Sequence, residues 1–150
     1  MACQNYKVIE LQNKNIGAVA AGSLLPLGNV TRRISDRTGS GVPFDITTSG
    51  ADTVQLTRKG FYKVMYSATL TVGSAGLVTL TLLANDAEIY SVSETASAGS
   101  VNLTLPKLIR VFDNCAANST NCPVNLQIRL SGSAITGGTS NLIVDSCVNG

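Results

Sequence analysis

Between Phe61 and Val72 the chain alternates strictly. Tyr62, Val64, Tyr66, Ala68, Leu70 and Val72 fall on one side, and Lys63, Ser67, Thr69 and Thr71 on the other. A period of two is that of a strand with one buried face, because successive side chains of extended backbone point in opposite directions. Gly60 precedes the run, and Gly73-Ser-Ala-Gly76 closes it as a turn. In the next run, Val78, Leu80 and Leu82 share a face opposite Thr79 and Thr81. Ala84-Asn-Asp-Ala87 then predicts a hairpin turn, since Asn and Asp tolerate turn backbone angles. Glu88 to Val92 is the return strand, and the small polar stretch from Ser93 to Gly99 predicts a loop.

The pattern recurs toward the C-terminus. Val101 to Leu105 alternates, Pro106 interrupts it as an edge or a bulge would, and Leu108 to Phe112 resumes. Val124, Leu126, Ile128 and Leu130 alternate with Asn125, Gln127, Arg129 and Ser131. Ser133 to Ser140 predicts a turn around Gly137-Gly138, and Asn141 to Val144 is the last strand. The first third is less regular. Tyr6 to Leu11 reads as a short strand or an arm, and Ile16 to Ala21 is apolar without period. Leu24 to Ile34 contains a strand bent by Pro26 and Gly28, while Val42 to Ile46 and Thr53 to Leu56 are short strands. No stretch sustains a helical period. The reading is all-β: about eight to ten antiparallel strands separated by Gly, Ser, Asn and Asp turns, in a sandwich or barrel. Residues 1–22 are set apart as an N-terminal arm or short strand, and residues 23–150 as the sandwich domain. The expected core includes Tyr62, Val64, Tyr66, Leu80, Leu126 and Ile128.

Composition sharpens this picture. A chain of 150 residues is about one domain, large enough to bury a real core. Charged residues make up 13% of it, against an ordinary share of about 25%. Strand faces bearing Thr and Ser in place of Lys and Glu lose little when buried, and sheets this poor in charge stick to one another unless covered. Closed symmetric assembly covers them. The net charge of +2 is too small to suggest a nucleic-acid or membrane-surface binder, and the Arg32, Arg33, Arg37 cluster has no interleaved aromatics. No leader peptide is recognisable in Met1 to Leu11, and no apolar run is long enough for a membrane helix. An extracellular product would leave by lysis or by a route without such a leader.

The order of elements resembles the TNF/C1q-like jelly roll over roughly residues 42–147. The likeness is carried by Leu56-Thr-Arg-Lys-Gly-Phe-Tyr-Lys-Val-Met-Tyr-Ser-Ala, in which a glycine and an aromatic open a long central strand. Leu80-Thr-Leu-Leu-Ala-Asn-Asp-Ala-Glu-Ile89 looks like the family's strand, polar turn and return strand. Asn125 to Leu130 and Asn141 to Val144 resemble its last two strands. Small free-standing versions beginning close to Met1 resemble bacteriophage head fibres and capsid decoration proteins, and similar domains tip bacterial spore-surface filaments. The resemblance implies a homotrimer and no shared active site. The expectation is therefore a non-enzymatic virion structural protein, docked on a capsid or fibre protein through residues 1–22. It would be assembled in the host cytoplasm or, alternatively, sit on a bacterial cell or spore surface. The alternative function is a carbohydrate- or receptor-binding module of the same fold.

Chemistry-bearing residues are few. With no histidine, the Ser-His-Asp triad, the Cys-His dyad and histidine metal sites are all excluded. Asp86 and Glu88, two apart on a strand, would share a face and are the only close acids. With Asn85 they could offer oxygens to calcium, but turn acids in solvent are the plainer assignment and no cofactor is expected. Cys115 and Cys122 flank a polar loop that a disulfide would close. Cys3 and Cys147 would meet if the first and last strands are neighbours, and a reducing compartment would leave all four as thiols. Tyr6, Phe44 and Tyr90 would stack on a surface glycan if exposed. The Asn29, Asn102 and Asn118 sequons are expected to go unused.

Overall fold

The computed structural model describes residues 5–35, 46–97, 99–111 and 124–148. The run from Gly60 to Val72 is one thirteen-residue strand, β5, and its burial alternates at every step, with Tyr62, Val64, Tyr66, Ala68, Leu70 and Val72 inside. Among the described residues there are nine further strands: β1 (Asn5–Asn13), β2 (Asn29–Ser35), β3 (Ile46–Ser49), β4 (Thr53–Leu56), β6 (Gly76–Ala84), β7 (Ala87–Ala96), β8 (Gly99–Val111), β9 (Val124–Gly132) and β10 (Gly137–Val148). They form two five-stranded sheets, ordered β2-β1-β10-β5-β8 and β3-β4-β9-β6-β7, and every pairing is antiparallel.

The pairings nest. β6 pairs with β7, β5 with β8, β4 with β9 and β1 with β10, as in one long hairpin rolled up so that successive pairs alternate between the sheets. The innermost turn is Asn85-Asp86, with φ of 49° and 68°. Two left-handed residues are what a two-residue hairpin loop needs to match the strand twist, and Asn and Asp accept that region most readily after glycine. Between the sheets lies one core. Ile9, Leu25, Leu56, Tyr62, Leu80, Leu105 and Leu130 are completely buried in it, and all six core residues expected from the sequence are at most 2% exposed.

Several boundaries differ from the sequence reading. Over residues 5–13 the chain forms a strand, longer than the short one expected as an alternative to an arm, between β2 and β10, and Ile9 and Leu11 face the core. β8 runs through Pro106, which pairs with Met65; β8 is an edge strand, where a missing N–H leaves no partner wanting. β7 extends to Ala96 through residues expected in a loop, because Ser93 hydrogen-bonds side chain to side chain with Thr79 on β6 (2.8 Å). β10 begins at Gly137, within the expected turn. The apolar segment around Val19 bridges to Ile135, and Leu24 bridges to Arg129 on β9. Of the short strand expected over 42–46, only Ile46 lies within the described residues, where it opens β3.

Tyr66 is the polar exception in the core. Neither its hydroxyl nor that of Ser140 on the adjacent strand has a hydrogen-bond partner. Burial pushes the phenol up to about 12, and the nearby Ser140 hydroxyl pulls it back only slightly. The folded chain thus keeps a proton that the unfolded chain releases above its ordinary value of about 10. The associated stability is fully present below pH 10 and is lost as pH rises toward 12, about 3 kcal/mol over that window. Tyr66→Phe should remove this loss and, by deleting an unsatisfied hydroxyl, leave stability at neutral pH unchanged or up to about 1 kcal/mol higher. Urea unfolding of both proteins from neutral to strongly alkaline pH checks both parts.

Candidate functional site

The outer face of the first sheet carries the features that an isolated, wetted sheet would not. Strand register brings residues distant in sequence into rows across it. One row is Ile34, Val8, Asp145, Lys63 and Leu108, and the next is Arg32, Glu10, Ile143, Met65 and Pro106. Below them runs an uncharged polar row, Gln12, Asn141, Ser67 and Thr104, and then Thr139, Thr69 and Asn102. Above them Phe61 pairs with Arg110, whose guanidinium lies 5.5 Å from the ring centroid. The upper half mixes exposed apolar residues with charges of both signs, and the lower half is hydroxyl- and amide-bearing.

The apolar residues are open to solvent. Leu108 is 57% exposed, Phe61 55%, Met65 43% and Ile34 41%. Ile34 stands at one margin of the face, on β2, and Leu108 at the other, on β8, with Phe61 and Met65 on the adjacent β5. Charge within the two upper rows balances: Glu10 and Asp145 against Arg32 and Lys63. The face also holds two shallow hollows. An apolar one of about 500 Å³ is lined by Met65, Pro106, Leu108 and Ile143 among others. A polar one of about 440 Å³ is lined by Gln12, Lys14, Ser67, Asn102, Thr104 and Asn141 among others. In the polar row the Asn141 Oδ1 is buried without a hydrogen-bond partner, a condition that costs about 1–3 kcal/mol.

The outer face of the second sheet is different. Its hydroxyls and amides already satisfy one another: Thr79 with Ser93 (2.8 Å), Thr81 with Ser91 (2.9 Å), Gln55 with Asn125 (3.1 Å) and Gln127 with Thr53 (2.9 Å). A surface so internally bonded has less to gain from a partner.

The residues singled out for chemistry in the sequence do not converge. Asp86 sits in the hairpin turn at positive φ, while Glu88 is ion-paired with Arg129. The Asn85 Oδ1 accepts a hydrogen bond from the Asn125 backbone N–H (2.8 Å). Among the described residues no group of three or more His, Cys, Asp or Glu could hold a metal ion. Arg32 and Arg33 alternate along β2, Arg32 opposite Glu10 and Arg33 opposite Ile9, and Arg37 lies outside the described residues. Tyr90 is 40% exposed, with the Lys107 amine 5.6 Å from its ring centroid. Tyr6 pairs with Cys147 between β1 and β10. Cys3, Cys115, Cys122, Phe44 and Asn118 lie outside the described residues, and with them both disulfide pairings. Asn102, on β8, accepts a hydrogen bond from Thr69 (2.7 Å). Among the described residues no helix is long and apolar enough to cross a membrane.

No family model and no curated sequence matches the chain. Solved structures do. Eiger TNF from S. frugiperda superposes with a TM-score of 0.66 over 97% of this chain and 95% of its own, at 8% identity. The fold is a TNF-like jelly roll. Murine APRIL matches this jelly roll at a TM-score of 0.53 over 92% of this chain and 98% of its own, at 9% identity. The PRD1 vertex protein P5 matches it at 0.53 over 99% of this chain and all of its own, at 15% identity. At such identities the likeness is one of fold.

Proposed function

We propose that this jelly roll is a non-enzymatic virion structural protein, a capsid decoration or head-fibre component that works as a homotrimer. The observation that carries the reading is the outer face of the first sheet, where exposed Leu108, Phe61, Met65 and Ile34 accompany charges of both signs, Glu10 and Asp145 beside Arg32, Lys63 and Arg110. A second copy suits such a face, because acids and bases on one surface can pair with the bases and acids of its copy. Apolar residues at opposite margins favour a ring over a dimer. One copy's β8 margin can meet the next copy's face repeatedly, and a heterologous contact of that kind closes when the rotation allows. The similarity to the PRD1 vertex protein P5 supports the virion setting.

Docking to a capsid or longer fibre is then left to surfaces outside the self-association face. Light scattering at micromolar concentration should give three times the chain mass. Met65→Glu, which places an unpaired charge in the upper half, should weaken association more than about 100-fold while the strand circular-dichroism signal persists. A strictly monomeric wild-type protein defeats the reading. Co-sedimentation with purified capsids favours it over the glycan- or receptor-binding alternative, which glycan-array binding without capsid association would favour instead.

A further inference from the structure

We propose that the Met65 thioether is an oxidation site through which peroxide controls assembly: a free copy oxidised there can no longer join the others. The inference rests on the self-association reading above. Met65 stands on β5, next to the marginal strand β8, with Ile143 opposite it on one side and Pro106 on the other. All three line the apolar hollow, together with Leu108. At 43% exposure the Met65 side chain is open to a small solute in the single chain. It also points away from the core, which its neighbours Val64 and Tyr66 face. The chain has two methionines, and the other is Met1, so a thioether inside the sheets is found at Met65 alone.

The step needs only hydrogen peroxide. A sulfur lone pair attacks one peroxide oxygen, the S–O bond forms, the O–O bond breaks, and the second oxygen leaves as water. The sulfur is oxidised and the peroxide reduced. The product is a sulfoxide, which turns a flexible apolar side chain into a polar one. In the free chain, water satisfies the new oxygen. Under a neighbouring copy it would lie among Ile143, Pro106 and Leu108, whose side chains have no donor to give it. A buried acceptor without a donor opposes association. Lys63 also lines the hollow and is exposed. Drawing its ammonium onto the sulfoxide beneath a partner would bury a charge, which costs more still. The fold itself is spared, because the modified group lies outside the core. Assembly and oxidation therefore exclude one another. Joined copies shield Met65 from peroxide, and oxidised copies cannot be joined.

The test treats the full chain, as wild type and as the volume-conserving Met65→Leu, with dilute hydrogen peroxide, then reads light scattering and the mass of the Met65 peptide. Wild type carrying one added oxygen at Met65 should associate more than about tenfold more weakly, with its strand circular-dichroism signal unchanged. Met65→Leu should associate alike before and after treatment. Both proteins contain Met1 and the four cysteines, so oxidation there is common to the two. Met65 should also oxidise more slowly at concentrations where the copies are joined than after dilution. Unchanged association of the Met65 sulfoxide form, or an equal loss in Met65→Leu, overturns the inference while leaving the self-association reading intact. A monomeric untreated wild type overturns that reading itself. Should Met65→Leu fail to fold, methionine sulfoxide reductase carries the test, because it reverts methionine sulfoxide and leaves oxidised cysteines as they are. Association should return as the Met65 peptide loses its added oxygen, and a reverted protein that stays dissociated overturns the proposal.

Discussion

Deleting residues 1–22 should leave no folded protein. The segment contains β1, which is hydrogen-bonded on both sides, to β2 and to β10. Its removal takes Ile9, Leu11 and Ile16 out of the core, each at least 93% buried. At about 1.5–3 kcal/mol for each fully buried aliphatic side chain, the loss approaches the whole net stability of a domain, about 5–15 kcal/mol. β2, which pairs only with β1, would lose its place in the sheet, and β10 would become an unpaired edge. The expected readout is loss of the strand circular-dichroism signal and of any cooperative thermal transition. A truncated chain that still folds and assembles would show that β1 is dispensable, as a docking arm would be.

The second large effect is expected at Gly28. Its φ of +90° already excludes most side chains, and a Cβ there would stand 2.1 Å from the Gln12 backbone oxygen and 2.7 Å from the Asn13 Cα. Both neighbours belong to β1 and cannot swing aside as a side-chain tip could. Gly28→Ala should therefore cost about 3 kcal/mol or more, combining left-handed strain with displaced backbone. Gly50→Ala is the control. Gly50 also has a positive φ, +68°, but nothing lies within 4 Å of its would-be Cβ, so about 1–2 kcal/mol of strain is the whole penalty. Urea midpoints for the two variants separate crowding from strain.

What the sequence disclosed follows from where one strand face is buried and the other wet. β5 could be read residue by residue because Tyr62 through Val72 alternate without a break, and β4 emerged with its observed bounds, Thr53–Leu56. The second half of β7 was hidden because it is an edge strand whose Ser93, Glu94 and Thr95 are all exposed, so no alternation marks it. The start of β10 was hidden by Gly137-Gly138, a pair that reads as a turn. Gly138 is needed inside the strand, since a Cβ there would stand 2.4 Å from the Thr69 backbone oxygen. The outer face of the first sheet was illegible in detail for another reason. Its rows join Ile34, Val8, Ile143, Met65 and Leu108 from five strands, and only register assembles them. Asp86 occupies the hairpin turn expected over Ala84–Ala87, in keeping with its plainer assignment as a turn acid.

The nested pairing also dictates a timetable for synthesis. β1 leaves the ribosome first, but its register partner is β10, with Asn5 opposite Val148. The hairpin of β6 and β7 can close as soon as it emerges, and each enclosing pair must wait for a later strand. The N-terminal segment, with its fully buried Ile9, therefore stays unsheltered until nearly the whole chain has been made. Closure over such separations is slow, and it leaves apolar strands exposed to association in the meantime. Nascent chains of this protein should consequently be strong clients of ribosome-associated chaperones until β10 has emerged.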